Sequence, residues 1–568
     1  MVTGIETELL NLLSVFILAA GVGVVVAKVG NFPYTIALLL AGLAASILGV
    51  QFGIELSHDI ILLVLLPPLL FEGAATTDLE QFRRNLPPIL ALAVPGLIIS
   101  VLILGVVGEA AFDFPLLIAL LFASMILPTD PVSVLALFEE LGAPERLATI
   151  VEGESLLNDG VGVVVFTALL ALVEEAGQSG DIAFTSDLVV DVGLEIVVSS
   201  VGGTVVGLVA GYLVYRVMVN VDEHMTEIVL TAILAYGSFL LAEHYVGVSG
   251  VIATVVAGLF IGNKGAEYAM SPQTKISIFN TWETAAFIVN TFIFVAIGTA
   301  TPVNQLLEHG RLILVAIVLV VVVRAVIVYP ITTLVNQFQS NDVSFSYQHV
   351  MVWGGLHGSI PIALVLGLPA TLPSGAPFPF REELRAMVFG VAAFSLIVQG
   401  LSMGRLLNGL GIVTRSPAAE LYELLVGRAR AVDSALDAAE ELESAGELST
   451  STYEEFTTEY EREKADLDTA IRELLDEHPD IRHQEVLAGE RRGLQREKTA
   501  IMDATRSGVI SDDVGDRLME EVDLKLDRVN SGETTVREHE EGYEEFWRTR
   551  AAEFGIAAAA LDEDETEE

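Results

Sequence analysis

The stretch Glu152-Gly153-Glu154-Ser155-Leu156-Leu157-Asn158-Asp159-Gly160 lies inside an apolar run of about 27 residues. At helical spacing Ser155 and Asp159 share one face, and Glu154 and Asn158 share the adjacent face. An ionisable residue at the depth of a bilayer is costly, so it normally faces a protein-lined cavity and serves a function. The alternative is that both acids lie near a helix end in water, but the run continues well beyond them on both sides. The stretch therefore predicts a membrane helix that carries a functional polar site.

Composition divides the chain into an apolar part and an acidic part. The 568 residues are 52% hydrophobic, yet the net charge is -45. From residue 415 onward there are 43 Asp and Glu but only 18 Lys and Arg, and no apolar run there is long enough to cross a bilayer. We therefore expect a membrane domain over residues 1–412, an acidic helical cytoplasmic domain over 413–560 and a disordered acidic tail over 561–568.

Two amino acids are rare or missing. There is no cysteine, which excludes disulfides, a thiol nucleophile and a thiolate metal site. Lysine occurs 6 times against 24 arginines. An acidic surplus with little lysine is typical of a halophile, in which carboxylate-rich surfaces stay soluble in concentrated salt. We expect a halophilic archaeal source, since an ordinary acidic tail would explain the C-terminus but not the acidic loops.

Apolar runs recur along the first part of the chain and predict an all-α polytopic membrane protein. The predicted spans number 13, and they cover residues 9–27, 33–50, 58–76, 87–109, 115–138, 147–173, 187–215, 225–245, 248–263, 276–300, 312–335, 348–368 and 386–404. The N-terminus has no basic segment followed by a small-residue cleavage site, so we interpret the first run as a retained span and not as a signal peptide.

The odd number of spans places the two termini on opposite sides of the membrane. With the N-terminus outside, eight basic residues in the loops fall inside and three fall outside, which fits the positive-inside rule. The inside group is Lys28, Arg83, Arg84, Arg146, Arg216, Lys264, Lys275 and Arg405, and the outside group is Arg311, Arg381 and Arg385. The acidic C-terminal domain is then cytoplasmic, and Arg324 is the one basic residue inside a predicted span.

Two predicted spans are interrupted in the middle. The fifth contains Pro128-Thr129-Asp130-Pro131, and the twelfth contains Trp353-Gly354-Gly355-Leu356-His357-Gly358-Ser359-Ile360-Pro361. Proline removes an amide donor, so the helices should break there. The two spans hold corresponding places if spans 1–6 and 8–13 form two halves, and paired broken helices predict a transport site at the midplane. The alternative is a pair of unrelated kinks.

Two further polar residues and the C-terminal domain leave alternatives open. Glu72 is an accessory site candidate, although it lies at a predicted span end where water could solvate it. His357 is a second candidate, because histidine titrates near neutrality, but a structural hydrogen bond is the commoner outcome. In the C-terminal domain Gly446-Glu447-Leu448-Ser449 and Gly508-Val509-Ile510-Ser511 predict two turns in which glycine ends one helix and serine caps the next. No nucleotide-binding pattern is present there.

Four motifs occur together in this chain: residues 152–160, Thr129-Asp130-Pro131, the Leu-Pro-Pro-Leu-Leu-Phe-Glu run that ends at Glu72, and residues 353–358. In this combination the chain closely resembles the NhaP-type sodium/proton antiporters, the branch that includes the eukaryotic Na+/H+ exchangers. The resemblance covers about residues 9–410. It implies 13 spans with inverted repeats, two discontinuous helices and a homodimer.

The resemblance also assigns roles to residues. It implies that Asp159 binds Na+ and H+ alternately, and that Asp130, Thr129 and Ser155 complete the Na+ site. Asn158 is the partner of Asp159 in the motif. The resemblance further implies a structural ion pair between Glu154 and Arg324. The chain departs from the family at His357, where an arginine is usual.

The residue chemistry agrees with such a function. Na+ is a hard cation that prefers carboxylate, hydroxyl and carbonyl oxygens, and competition of Na+ and H+ for one buried carboxylate couples the two fluxes without any cofactor. We expect secondary transport across the cell membrane for pH and sodium homeostasis, without enzymatic activity or nucleic-acid binding. Because Asn158 cannot titrate, we expect electroneutral 1:1 exchange. The alternatives are Li+ or K+ as the cation, a cation channel and a membrane sensor.

Overall fold

The computed structural model describes residues 4–29, 33–48, 60–130, 134–135, 138, 142–179, 186–221, 223–301, 303–339, 341–412, 417–506, 508–530 and 534. The chain divides into two compact units, residues 1–414 and 415–568. Pro131 and the predicted acidic tail lie outside the described residues. The all-α class predicted from the sequence is confirmed, because the described part of the chain is helical and contains no β-strand.

The first unit is built mainly from apolar helices. In chain order they are α1 Gly4–Val29, α2 Tyr34–Ile47, α3 Ile60–Thr76, α4 Leu79–Arg84, α5 Leu86–Phe112, α6 Leu116–Ile126, α7 Glu145–Ser179, α8 Ser186–Met218, α9 His224–Val246, α10 Gly250–Phe260, α11 Pro272–Ala300, α12 Val303–Glu308, α13 Gly310–Asn336, α14 Phe345–Trp353, α15 Ser359–Leu366 and α16 Arg381–Gly409.

Among the described residues, eight of these helices are long and apolar enough to cross a membrane, namely α1, α5, α7, α8, α9, α11, α13 and α16. Shorter apolar helices, α2, α3 and α6, accompany them. Every predicted span contains a helix, but the number of 13 spans stays a prediction, since parts of the second, third and fifth spans fall outside the described residues.

Both predicted breaks are present. The helix α6 ends at Ile126, and Leu127 to Asp130 are not helical. The helix α14 ends at Trp353, and α15 begins only at Ser359. We call residues 127–130 the first break and residues 354–358 the second break. The first break follows the half-helix α6, and the second lies between the half-helices α14 and α15, as proline and glycine in mid-span predict.

The π-helical turns are a second kind of irregularity, which the sequence analysis did not predict. Among the described residues they occur at Ile60–Leu65, Leu92–Gly96, Leu241–Val246, Ile261–Gly265 and Ser395–Gly400. Only the second contains a proline, Pro95. Such turns widen a helix locally and are frequent at functional sites. One of them contains Ser395, which contacts the second break.

The helix that carries the charged motif, α7, is deeply embedded in the first unit. Most of its apolar side chains from Leu147 to Val173 belong to the main hydrophobic core. At Gly162 the helix comes very close to the first break, because a Cβ there would lie 2.3 Å from the Pro128 Cγ atom. Glycine at this position therefore allows the close approach that the site requires.

The second unit contains four amphipathic helices, α17 Pro417–Ser444, α18 Thr450–Glu477, α19 Pro479–Arg506 and α20 Asp512–Asn530. The turn between α17 and α18 has the predicted form, since Gly446 has a φ of 74° and the Ser449 side chain accepts from the Thr452 amide. Gly508 has a φ of 73° in the second turn. Surface ion pairs such as Arg428 with Glu463 and Lys498 with Asp523 join the paired helices.

Candidate ion-binding site

The two breaks contact each other through backbone and side-chain hydrogen bonds. The Asp130 amide donates to the Leu356 carbonyl oxygen at 2.7 Å. The His357 Nδ1 atom lies 3.2 Å from the Pro128 carbonyl oxygen. Directly after the second break, the amide of Ser359, the first residue of α15, donates to the Asp130 carboxylate at 3.3 Å. We call the place where residues 127–130 contact residues 354–358 the crossing. Backbone groups that proline and glycine leave without helical partners find hydrogen-bond partners there.

The helix α7 binds the first break through Thr129. The Asn158 amide nitrogen donates to the Thr129 hydroxyl at 2.9 Å, and the Thr129 backbone amide donates to the Asn158 Oδ1 atom at 3.3 Å. The Ser155 hydroxyl donates to the Thr129 carbonyl oxygen. Both ends of the Asn158 side chain are therefore used to hold the first break against α7.

Glu154 and Arg324 form a buried ion pair. The two guanidinium Nη atoms bind the two carboxylate oxygens, and the Nη2–Oε2 distance is 2.8 Å. Only 2% of the Glu154 side chain and 16% of the Arg324 side chain are exposed. Arg324 also donates from Nε and Nη2 to the Met351 carbonyl oxygen at 3.3 and 3.2 Å. The pair therefore connects α7, α13 and α14.

Asp159 and Asp130 are the buried carboxylates that remain near the crossing. They are 7% and 8% exposed. Within the described part of the chain the Asp159 Oδ1 atom has no hydrogen-bond partner, although it is buried. The Asp130 carboxylate lies directly against Gly358, where a Cβ would be only 1.9 Å from Oδ2. A buried carboxylate oxygen without a donor is costly, so this arrangement favours a proton or a cation at Asp159.

A cavity of about 760 Å³ reaches this pair of aspartates. Asp130 and Asp159 line it together with Ser359 and Ile360 from α15. Further acidic side chains along its wall are Glu72, Glu145, Glu152 and Glu283. No lysine or arginine lines it among the described residues. The wall therefore carries negative charge, which concentrates cations near the aspartates.

The structure brings the predicted site residues together but gives them different surroundings. Asp130, Asp159 and Glu72 line the cavity, whereas Thr129 and Ser155 do not contribute to its lining. The Ser155 hydroxyl proton is already donated to the Thr129 carbonyl oxygen. His357 is buried at the crossing and is likewise not part of the cavity wall.

Two residues of the wall, Glu283 and Asn290, were missed by the sequence analysis. They lie seven positions apart on α11 and therefore on one face of that helix. An acid and an amide at this spacing within the predicted span 276–300 were the signal that could have identified them.

The chain resembles known transport proteins over its first unit. Residues 13–409 match the family model described as the transmembrane sodium/hydrogen exchanger. The Na(+)/H(+) antiporter ApNhaP of Aphanothece halophytica is 37% identical over 406 residues, which are 72% of this chain and 75% of that protein. The Na(+)/H(+) antiporter NhaG of Bacillus atrophaeus is 32% identical over 527 residues, or 89% of this chain and 96% of that protein.

A solved structure shows the same fold. The sodium proton antiporter MjNhaP1 from Methanocaldococcus jannaschii, determined at pH 8, superimposes with a TM-score of 0.59. The match covers 72% of this chain and 99% of that structure, at 21% sequence identity. The similarity therefore extends over essentially all of MjNhaP1 and leaves out the part of this chain that corresponds in length to the second unit.

Proposed function

The chain belongs to the sodium/hydrogen exchanger family and is a multi-pass Na+/H+ antiporter, and from this premise we propose that Asp159 and Asp130 form its exchange site. Asp159 binds Na+ and H+ in turn, and Asp130 supplies a second carboxylate beside it. Thr129 and Ser155 contribute neutral oxygens to the Na+ ligand set, and Asn158 holds the Thr129 segment in place. Glu72 acts as an accessory acid on the route to the site.

One observation carries this assignment. The Asp159 Oδ1 atom is buried, has no hydrogen-bond partner among the described residues, and belongs to a carboxylate that lines the cavity. The other acid of the motif at this depth, Glu154, is already neutralised by Arg324. Asp159 is therefore the motif carboxylate whose charge a transported ion has to balance.

Competition at one carboxylate is sufficient to couple the two fluxes. A charge at bilayer depth is costly, so the site crosses the membrane readily when a proton or a Na+ neutralises it and slowly when it is empty. Oxygen ligands suit Na+ because it is a hard cation. This mechanism requires no cofactor, and the expectation that the protein uses none stays a prediction.

Na+ is the cation that the comparisons support. The relatives described above are named for Na+ and H+, so the K+/H+ alternative is not favoured. Transport of Li+ in addition to Na+ stays a prediction, as do a halophilic source and the homodimer expected from the resemblance. Cross-linking in the native membrane tests the homodimer, which a purely monomeric product would contradict.

We also propose that the cavity opens toward the cytoplasm, with the N-terminus outside and the second unit inside. In support, the wall includes Glu145 and Thr76. Arg83 and Arg84 at the end of α4 and Arg146 at the start of α7 lie nearby in sequence, and the positive-inside rule assigns these basic residues to the cytoplasm. Because the chain has no native cysteine, a single cysteine in place of Ala143, which lines the cavity, reports the side of the opening. Labelling from outside intact cells would contradict this orientation.

The decisive experiment is Na+-driven proton flux in proteoliposomes that contain the Asp159→Asn variant. Asn keeps the shape of the side chain but can neither titrate nor balance a cation, so we expect exchange to fall to the rate of protein-free vesicles. Glu267→Gln is the control, because Glu267 does not line the cavity and its substitution should leave the flux unchanged. Substantial exchange by the Asp159→Asn variant would exclude Asp159 as the carrier.

A further inference from the structure

His357 has a position that the exchange mechanism described above does not use. It lies in the second break, 4% exposed, and takes no part in the cavity lining. Its backbone amide donates to the Ser395 hydroxyl at 3.0 Å, and Ser395 on α16 is fully buried. The residue is therefore fixed to α16 through its backbone, while its side chain extends toward the first break.

The imidazole meets the end of the half-helix α6. Its Nδ1 atom is 3.2 Å from the Pro128 carbonyl oxygen, and the ring also faces the Ile126 carbonyl. In a continuous helix the Asp130 amide would donate to the Ile126 oxygen, but here it donates to the Leu356 oxygen. The carbonyls at this helix end thus lose helical donors, and the histidine ring supplies a replacement.

The tautomer of the His357 imidazole follows from its hydrogen-bond partner, the Pro128 carbonyl oxygen. A carbonyl oxygen cannot donate, so the short Nδ1 contact requires a proton on Nδ1. The charged groups near this crossing are Arg324 from α13 and the carboxylates of Asp130 and Asp159. Arg324 is paired with Glu154, and Asp130 accepts from the Ser359 amide. A neutral imidazole with Nδ1 protonated satisfies the Pro128 carbonyl without adding a charge beside Arg324.

The Pro128 carbonyl is adjacent in sequence to the proposed ligand Thr129. Its orientation is coupled to that of the Thr129 amide through the planar peptide bond, and this amide donates to Asn158. We infer that His357 is a positioning residue of the ion site. Its Nδ1–H group holds the Pro128–Thr129 peptide in the orientation that presents Thr129 and Asp130 to the cation. The inference rests on the proposed exchange site at Asp159 and Asp130.

Three substitutions at one position separate this role from general packing. In asparagine the donor nitrogen is bonded to Cγ, just as Nδ1 is bonded to Cγ in histidine. His357→Asn should therefore keep the hydrogen bond to the Pro128 carbonyl oxygen. Gln places its donor one atom further out, and Leu has none. We expect His357→Asn to keep the KM for Na+ within about twofold of wild type, and His357→Gln and His357→Leu to raise it about 5- to 20-fold, the range of one lost hydrogen bond.

The assay is proton flux in proteoliposomes over a series of Na+ concentrations, with thermal unfolding of each purified variant. A positioning role predicts that KM rises while the maximal rate of the folded protein changes much less. The difference between Asn and Gln is the part that a merely structural role would not produce, because both fill similar space. Na+-dependent thermal stabilisation gives a second reading of affinity that does not depend on flux.

Each outcome bears on one of the two proposals. Equal KM values for His357→Asn and His357→Gln, or a wild-type KM in His357→Leu, would overturn the positioning role while leaving the Asp159 site intact. Full exchange by Asp159→Asn would instead overturn the proposed site, whatever the His357 variants do. A low yield of His357→Leu would not remove the test, since the Asn and Gln pair carries it.

Discussion

The ion pair between Glu154 and Arg324 gives the sharpest prediction about the fold. We consider Glu154→Gln, which keeps the side-chain shape and removes the negative charge. Arg324 then keeps the Met351 carbonyl as an acceptor at 3.2 and 3.3 Å, but its positive charge has no counter-ion in a site where its side chain is 16% exposed. Removing one partner of a buried pair typically costs about 3 to 5 kcal/mol.

The expected loss for Glu154→Gln is about 3 kcal/mol, at the lower end of that range, because the Gln oxygen still accepts one of the two guanidinium bonds. Replacing both residues, as in Glu154→Gln with Arg324→Gln, removes the isolated charge. The double variant should therefore be more stable than the sum of the single losses by at least about 2 kcal/mol. Purified protein in detergent, followed by tryptophan fluorescence during heating, reports these differences.

A surface pair provides the matched control. Glu80 and Arg84 form an i,i+4 pair on α4 whose side chains are about half exposed, so Glu80→Gln should cost no more than about 0.5 kcal/mol. The flux assay adds a second criterion, because the folded fraction of Glu154→Gln should keep a wild-type KM for Na+. Two results would refute the reasoning: additive losses in the double variant, or a Glu154→Gln protein as stable as wild type.

Two further predictions concern the crossing and the stoichiometry. Gly358→Ala should abolish exchange or strongly reduce folded yield, because the added Cβ would lie 1.9 Å from the Asp130 carboxylate, whereas Gly409→Ala has open space and should behave as wild type. Normal flux in Gly358→Ala would contradict this packing. The second prediction is that exchange is electroneutral, so a membrane potential imposed with a K+ gradient and valinomycin should change neither the rate nor the end point of exchange. A rate that follows the voltage would show that a second charge moves.

Much of the site could be predicted because its chemistry conflicts with its surroundings. Charged residues in an apolar run, such as Glu154 and Asp159, have few acceptable environments, so their sequence context already indicates a protein-lined cavity. Proline and glycine in mid-span have an equally direct effect on backbone hydrogen bonds, and both breaks occur where Pro128 and Gly354 predict them.

The remaining features depend on how separate helices pack, which the sequence pattern does not encode. Helical spacing places Ser155 and Asp159 on one face, but only the position of the first break shows that Ser155 contacts Thr129 while Asp159 lines the cavity. The contribution of Glu283 depends in the same way on where α11 packs. The π-helical turns have no local signal, since four of the five described turns lack proline.

The distribution of charge at the crossing explains why one cation should exchange for one proton. Glu154 is balanced by Arg324, and Asn158 cannot titrate and is engaged with Thr129 at both ends of its side chain. Asp130 accepts from the Ser359 amide at the N-terminus of α15, where the helix dipole favours a negative charge. The structure therefore stabilises Asp130 as a carboxylate by fixed groups and leaves Asp159 without a fixed donor at Oδ1. If Asp130 keeps its charge throughout the cycle, the cargo has one carboxylate left to neutralise, and either one Na+ or one H+ does so.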